Sequence, residues 1–213
     1  MENTKVVFEN EYVYIISKEH GVPCQSKDQD DIAQAYKTSH FISRLDQPAA
    51  GLLMLAKSPK AANMFSSHFK KGRIQKQYVA LVEGTGLPQE GILKDQVLKR
   101  GQKSYVEEEA EEKNAVLEFQ VNTVLDRYTL VDISIQSGRF HQIRSQLAAA
   151  GFPIKGDLKY GAKRSNKEGG IYLCCTSITF PADQTGLPMS LKVHPSEYLL
   201  PLWKFYDENK GNF

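Results

Sequence analysis

Leu52-Leu53-Met54-Leu55-Ala56 is an unbroken apolar run, bounded by Gly51 on one side and Lys57-Ser58-Pro59 on the other. It is too short to stand as a helix, and an extended segment that is apolar on both sides must be covered on both faces. The run therefore predicts an interior strand, around which the rest of the chain has to supply a sheet. With 213 residues the chain can bury a proper core, and one domain spanning 1–213 is the expectation.

The flanking segments read as the parts of such a sheet. Ser58-Pro59 opens a helix, with the serine as N-cap and the proline at the first helical position. Ala61, Phe65 and Phe69 then recur at four-residue spacing, and the helix should stop near Gly72. Val6 to Phe8 and Tyr12 to Ser17 predict two short strands across a Glu9-Asn10 turn, and a helix is expected from about Asp30 to Lys37. Ile74 to Glu83 predicts a strand with Lys76, Tyr78, Ala80 and Val82 on one face and Gln77, Val79 and Leu81 on the other.

Gly84 to Asn114, with its glycines, Pro88 and mixed charge, reads as an exposed excursion of turns and short strands. Ala115 to Leu125 and Tyr128 to Gln136 predict a hairpin around Asp126-Arg127. A helix from about His141 to Ala150 follows, stopped by Gly151 and Pro153, then a strand over Ile171 to Phe180 and a tail over Ser196 to Asp207 that reads as helical apart from Pro201. Strands and helices alternate without a regular βαβ rhythm. The expected class is α+β: a mixed, largely antiparallel sheet with flanking helices.

Several function classes are excluded or left without support. No apolar run is long enough to span a bilayer, and Met1 opens no charged-then-apolar leader, so a cytoplasmic protein is expected. Cys24, Cys174 and Cys175 cannot pair evenly and offer no C-x-x-C spacing, so neither a disulfide framework nor a cysteine metal site is expected. Net charge is +2, yet it is unevenly spread. Acids gather at Glu107, Glu108, Glu109, Glu111 and Glu112; bases gather at Lys70, Lys71, Arg73 and Lys76, at Lys99, Arg100 and Lys103, and over Lys155 to Lys167. Such separation gives either a solvated surface or a positive face for a phosphate backbone.

Three segments carry residue types suited to chemistry. In Ser43-Arg44-Leu45-Asp46, extended backbone would put Arg44 and Asp46 on one side and Leu45 on the other; taken alone the pair reads first as an ordinary surface ion pair, with a carboxylate serving as nucleophile or base as the alternative. In Gly138-Arg139-Phe140-His141-Gln142-Ile143-Arg144, helical spacing brings His141 and Arg144 onto one face near a helix N-terminus, where anions are favoured, and no second ligand is spaced for a metal. Tyr78 is either a core aromatic or a ring presented to a base, with Lys76 and Lys71 near enough in sequence to take phosphates.

Taken together, the three segments resemble the RluA-type pseudouridine synthases. That family shows H-R-L-D-x-x-T-S-G before an apolar strand and A-K; here Ser43 to Gly51 precede Leu52 to Lys57. Its K-x-Y-x-A stands as Lys76 to Ala80. Its G-R-T-H-Q-I-R, continued by G-x-P-I-x-G-D-x-x-Y-G, stands as Gly138 to Arg144 and Gly151 to Gly161. Order and spacing match from about Val6 to the tail. Four departures are visible: Ser43 for histidine, Ala49-Ala50 for Thr-Ser, Phe140 for threonine, and Lys18-Glu19 for Lys-Pro.

The resemblance implies a pseudouridine synthase fold with a central RNA-binding cleft, and isomerisation of uridine in a structured rRNA or tRNA stem-loop without metal or organic cofactor. It implies Asp46 as the catalytic carboxylate, Arg144 pairing with it and holding it ionised, and Tyr78 stacking on the target uracil as its main role, with acceptance of a proton as the alternative. Arg44, Lys76, Arg139, His141 and Gln142 are the expected RNA contacts. A monomer is expected, and because the matched segments begin near Glu11, no accessory RNA-binding domain is expected before them. Two rivals remain at this point: a former synthase that only holds RNA, favoured by Ser43, Ala49 and Ala50, and a hydrolase with Asp46 as general base, which lacks a second acid or metal site.

Overall fold

In the computed structural model, the structure describes residues 4–26, 31–107, 109–135, 137–182, 186–198 and 200–206. Eleven strands are found among them. They are β1 (Thr4–Glu9), β2 (Val13–Lys18), β3 (His40–Phe41), β4 (Ala50–Ala56), β5 (Gln75–Glu83), β6 (Glu90–Arg100), β7 (Lys103–Glu107), β8 (Ala115–Val124), β9 (Tyr128–Ile135), β10 (Leu173–Thr179) and β11 (Ser190–Lys192). The main path across the sheet runs β1-β2-β4-β10-β5-β9-β8-β6-β7. Every pairing is antiparallel except β4 with β10, where Cys174 and Cys175 lie beside Ala50 and Gly51.

The apolar run behaves as its composition requires: all seven residues of β4 are buried. Its entry depends on Gly51, which has φ +114°, and a Cβ there would collide with the Cys175 backbone. The parallel β4–β10 contact, on which the centre of the sheet closes, thus needs glycine at 51. Beyond Cys175 the same edge of β10 passes to β11 through Ser177 to Thr179. Because β4 and β5 are central strands, the Tyr78 face and the opposite face of β5 are both covered, and residues 78–82 are all buried.

Helix α1 (Ile32–Ala35) is a single turn capped by Asp31, whose Oδ1 accepts from Gln34 N at 2.7 Å; the expected start at Asp30 lies outside the described residues. Helix α2 (Pro59–Lys70) follows β4 with Ser58 as N-cap and Ala61 and Phe65 buried, as the four-residue spacing predicts. Helix α3 (Gln142–Ala149) packs against β6, β7 and β8 and is buried from Gln142 to Leu147. Among the described residues, no helix is long and apolar enough to cross a membrane.

Three expectations need correction. The Gly84–Asn114 excursion contains an eleven-residue strand, β6, whose first half pairs with β8 and whose second half turns away to pair with β7. Charged residues interrupt its alternation, and Asn114 supplies part of its pairing instead of a strand: the Asn114 side chain accepts from Val97 N at 3.0 Å and donates to Val97 O at 3.2 Å. The tail forms two 3-10 turns, Pro195–Glu197 and Pro201–Phe205, because Pro201 cannot continue an α-helix. Trp203 is buried there against Tyr172, ring centroids 5.0 Å apart. β3 and β11, of two and three residues, are too short to leave a periodic signal. Glu108, Gln136 and the expected end of the tail at Asp207 lie outside the described residues.

Candidate active site

Residues 43–49 form the loop that feeds β4, and it is tied down at almost every step. The Cys24 thiol donates to Leu45 O, Gly21 N to Gln47 O at 2.8 Å, and Ile171 N to Pro48 O at 2.9 Å. Beneath it lies Lys18, the last residue of β2 and fully buried. Its ammonium donates to the carbonyls of Glu19, Val22, Gln47 and Ala49 at 2.9, 3.0, 3.2 and 2.6 Å. Burial lowers the Lys18 pKa to about 8. Leu45 is buried and Arg44 exposed, while Asp46, with a side chain 22% exposed, opens onto a cleft.

That cleft is lined jointly by Arg44, Asp46, Tyr78, Arg139, His141 and Arg144. The three sequence segments therefore converge. Arg144 comes from the first turn of α3, 98 residues beyond Asp46, and its Nη1 donates to Asp46 Oδ2 at 3.1 Å. The other edge of the guanidinium is held by Asp157: Nε donates to Oδ2 at 2.6 Å and Nη2 to Oδ1 at 2.7 Å. The Arg144 and Asp157 side chains are 4% and 1% exposed. A buried, bidentate, charge-assisted pair of this kind fixes the plane of the guanidinium and leaves one N–H edge for Asp46.

The electrostatics differ from the expectation that Arg144 would lower the Asp46 pKa. Burial raises the Asp46 carboxyl above its ordinary value, and Arg144, then Lys18 and Lys159, offset only part of that. The Tyr78 phenol is pushed well above its ordinary value, first by burial and then by Cys175 and Asp46, so it stays neutral and cannot serve as a base in this state. Burial, with Arg144 and Lys159 adding to it, lowers His141 to about 3, leaving a neutral imidazole 3.8 Å from Asp46 Oδ2.

Two of the expected RNA contacts are corrected. Lys76 is 3% exposed, points inward and donates to Ser43 Oγ at 2.5 Å, with the Phe69 ring beneath it, so no external phosphate can reach it. The serine that replaces the family's histidine is thus the partner of a buried lysine. Gln142 is also buried: its Oε1 accepts from Ser137 Oγ and Arg139 N, and its Nε2 donates to Val116 O at 3.1 Å. Its amide is used in holding the 137–142 turn. Arg44 and Arg139 remain exposed at the rim, the latter donating from Nε to Asn114 O at 3.3 Å.

Three features escape a sequence reading centred on Asp46, Tyr78 and Arg144. Asp157 and Tyr160 sit in the matched Gly151–Gly161 segment, but nothing in their spacing says that one grips Arg144 while the other, accepting from Ser104 N at 2.8 Å, contacts His141. His141 is the N-cap of α3 with φ +53°, a left-handed conformation found at no other non-glycine among the described residues. Phe140, in place of threonine, stacks on His141 with centroids 3.8 Å apart.

Comparison with known proteins adds to this geometry. Residues 12–149 match the family described as RNA pseudouridylate synthase. The chain belongs to that family. A Bacillus subtilis relative described as an uncharacterized RNA pseudouridine synthase is 30% identical over 75% of this chain and 61% of its own. A ribosomal large subunit pseudouridine synthase C from Buchnera aphidicola is 28% identical over 87% of this chain and 65% of its own. The chain thus spans somewhat under two thirds of the length of these relatives. Among solved structures, human RNA pseudouridylate synthase domain containing 1 superposes with a TM-score of 0.73 at 22% identity, covering 90% of this chain and 82% of that one. That likeness shows the α+β fold of the family.

Proposed function

We propose that the chain isomerises uridine to pseudouridine in a structured ribosomal or transfer RNA, with Asp46 as the catalytic carboxylate. The observation that carries this reading is the cleft in which Asp46, Tyr78 and Arg144 meet, in a chain that belongs to the RNA pseudouridylate synthase family. The reaction breaks the bond from ribose C1′ to uracil N1, turns the detached base, joins C1′ to C5, and moves a proton from C5 to N1. It consumes no oxidant and no group donor, so positioned side chains are the chemistry it requires.

In the bound state Asp46 either attacks the ribose or promotes elimination at it; both routes use the ionised carboxylate aimed by Arg144. Tyr78 holds the uracil by its ring face, since its phenol stays protonated. The buried residues around the cleft restrict water while the free base turns. A uridine within a stem must leave the stack to reach Asp46, at roughly a few kcal/mol. Arg44 and Arg139, exposed on the rim, grip the backbone or fill the vacated space.

The domain 1–213 acts as one catalytic unit, as a monomer in the cytoplasm, and the β6–β7 ribbon contributes to RNA affinity. Replacing the exposed Lys99 and Arg100 of that ribbon by alanine should weaken RNA binding, and unchanged affinity would sink that part. The reading as a whole is tested by deleting the gene, mapping pseudouridine across total rRNA and tRNA, and restoring with wild type or Asp46→Ala. Sites lost on deletion should return only with wild type; their full return with Asp46→Ala would refute the proposal.

A further inference from the structure

His141, one of the expected RNA contacts, lies in the cleft between Asp46 and Tyr160, and its hydrogen bonds determine which of its nitrogens carries the proton. Tyr160 Oη is 2.9 Å from His141 Nδ1 and accepts from Ser104 N at 2.8 Å. A phenol has one proton to give, and Nδ1 is the acceptor placed to take it. If Nδ1 carried the proton instead, the phenol hydrogen would be left without an acceptor and the Nε2 lone pair would face the Asp46 carboxylate. The pairing that satisfies every group makes Nδ1 the acceptor and puts N–H at Nε2, 3.8 Å from Asp46 Oδ2. At that length the contact is charge to dipole rather than a hydrogen bond.

The same Asp46 oxygen receives Arg144 Nη1. Two N–H groups therefore converge on Oδ2, leaving Oδ1 without either of these contacts. The backbone makes a concession for this arrangement, since His141 sits in left-handed space that costs a branched or bulky side chain strain. Stacking on Phe140 and the Tyr160 bond hold the ring in that pose. Tyr160 is fixed in turn, with the Arg144 guanidinium 4.9 Å from its ring centroid and β7 anchored to it through Ser104. Ser104 also donates from Oγ to Phe140 O at 2.5 Å, so the ribbon touches both neighbours of the imidazole.

We propose that His141 is a positioning residue that, together with Arg144, holds Oδ2 of Asp46 so that Oδ1 faces the ribose, and that Tyr160 sets the imidazole tautomer required for this. The inference rests on the synthase reading of the cleft, but its first test is independent of catalysis. Long-range 15N–1H spectra of the imidazole should show His141 as the Nε2–H tautomer in the wild-type chain and a mixture of tautomers in Tyr160→Phe, which keeps the ring. An Nδ1–H tautomer in the wild type overturns the inference and leaves the synthase reading standing.

The second test uses release of tritium from 5-tritiated total RNA of a strain lacking the gene. Tyr160→Phe should lower kcat about tenfold with KM unchanged, the size of one lost hydrogen bond. His141→Gln, which can place an amide N–H where Nε2 stood, should keep more kcat than His141→Asn, which places its amide on the Tyr160 side. Backbone preference runs the other way, because asparagine tolerates left-handed geometry better than glutamine. A purely structural role would therefore favour His141→Asn, and that order would overturn the inference. If the wild type shows the expected tautomer yet releases no tritium, it is the synthase reading that fails.

Discussion

Removing Asp157 should damage stability far more than removing Asp46, although both carboxylates touch the same guanidinium. Arg144 and Asp157 are almost fully enclosed, joined by bonds of 2.6 and 2.7 Å, whereas Asp46 makes one bond of 3.1 Å and is partly open. Charges about 4 Å apart attract by about 4 kcal/mol at an effective dielectric of 20, and breaking a buried pair from one side costs roughly 3–5 kcal/mol. Asp157→Ala should fall at the lower end, about 3 kcal/mol, since Asp46 can still neutralise the arginine. For a chain of this size that is a Tm lower by about 6–12 °C.

Chemical denaturation of wild type, Asp157→Ala and the double variant Arg144→Met/Asp157→Leu checks the reasoning. The apolar pair should recover most of the loss, because it buries no charge, while activity stays absent for want of Arg144. A cost under 1 kcal/mol for Asp157→Ala, or a double variant no more stable than the single one, would refute the assignment of Asp157 as the anchor of Arg144.

Lys18→Met leaves the Val22, Gln47 and Ala49 carbonyls without the ammonium that joins them; denaturation should show a loss of about 3 kcal/mol, and kcat should fall because the Asp46 loop is released. Tyr78→Phe should retain far more activity than Tyr78→Leu in single-turnover assays, since the ring rather than the phenol proton is used; equal and complete loss in both would contradict stacking. Asp46 has a raised folded-state pKa, so its fit to the fold is best below the ordinary carboxylate value and is lost as pH rises through the raised one. Activity runs oppositely, needing the ionised form. The acid limb of kcat/KM should therefore lie above the ordinary carboxylate range, and Lys159→Met, by removing a charge that favours ionisation, should move it higher.

The convergence of Asp46, Tyr78 and Arg144 is legible only through the resemblance to the pseudouridine synthases; segment by segment the residues also fit a surface ion pair, a core aromatic and a polar helix edge. The apolar run at 52–56 and the capped helix after it are legible without it: burial on both faces and a Ser-Pro start are written locally. What is not legible depends on neighbours distant along the chain. Lys76 looks like a phosphate ligand until Ser43 and Phe69 enclose it. The Asp46 pKa moves opposite to the effect of its arginine because desolvation, a property of the whole fold, outweighs one pair. β6 escapes notice because an asparagine side chain completes its pairing. The left-handed His141 follows from no propensity, being held by Tyr160 and Phe140.

The central claim is that the Asp46 carboxylate performs the isomerisation, and loss of the C5 hydrogen reports that event directly. Purified wild type and Asp46→Asn are to be compared on 5-tritiated RNA, with melting curves and RNA affinity measured alongside. The account predicts tritium release from wild type only, with Asp46→Asn at least as stable and binding the RNA equally. Release by Asp46→Asn at the wild-type rate would contradict it.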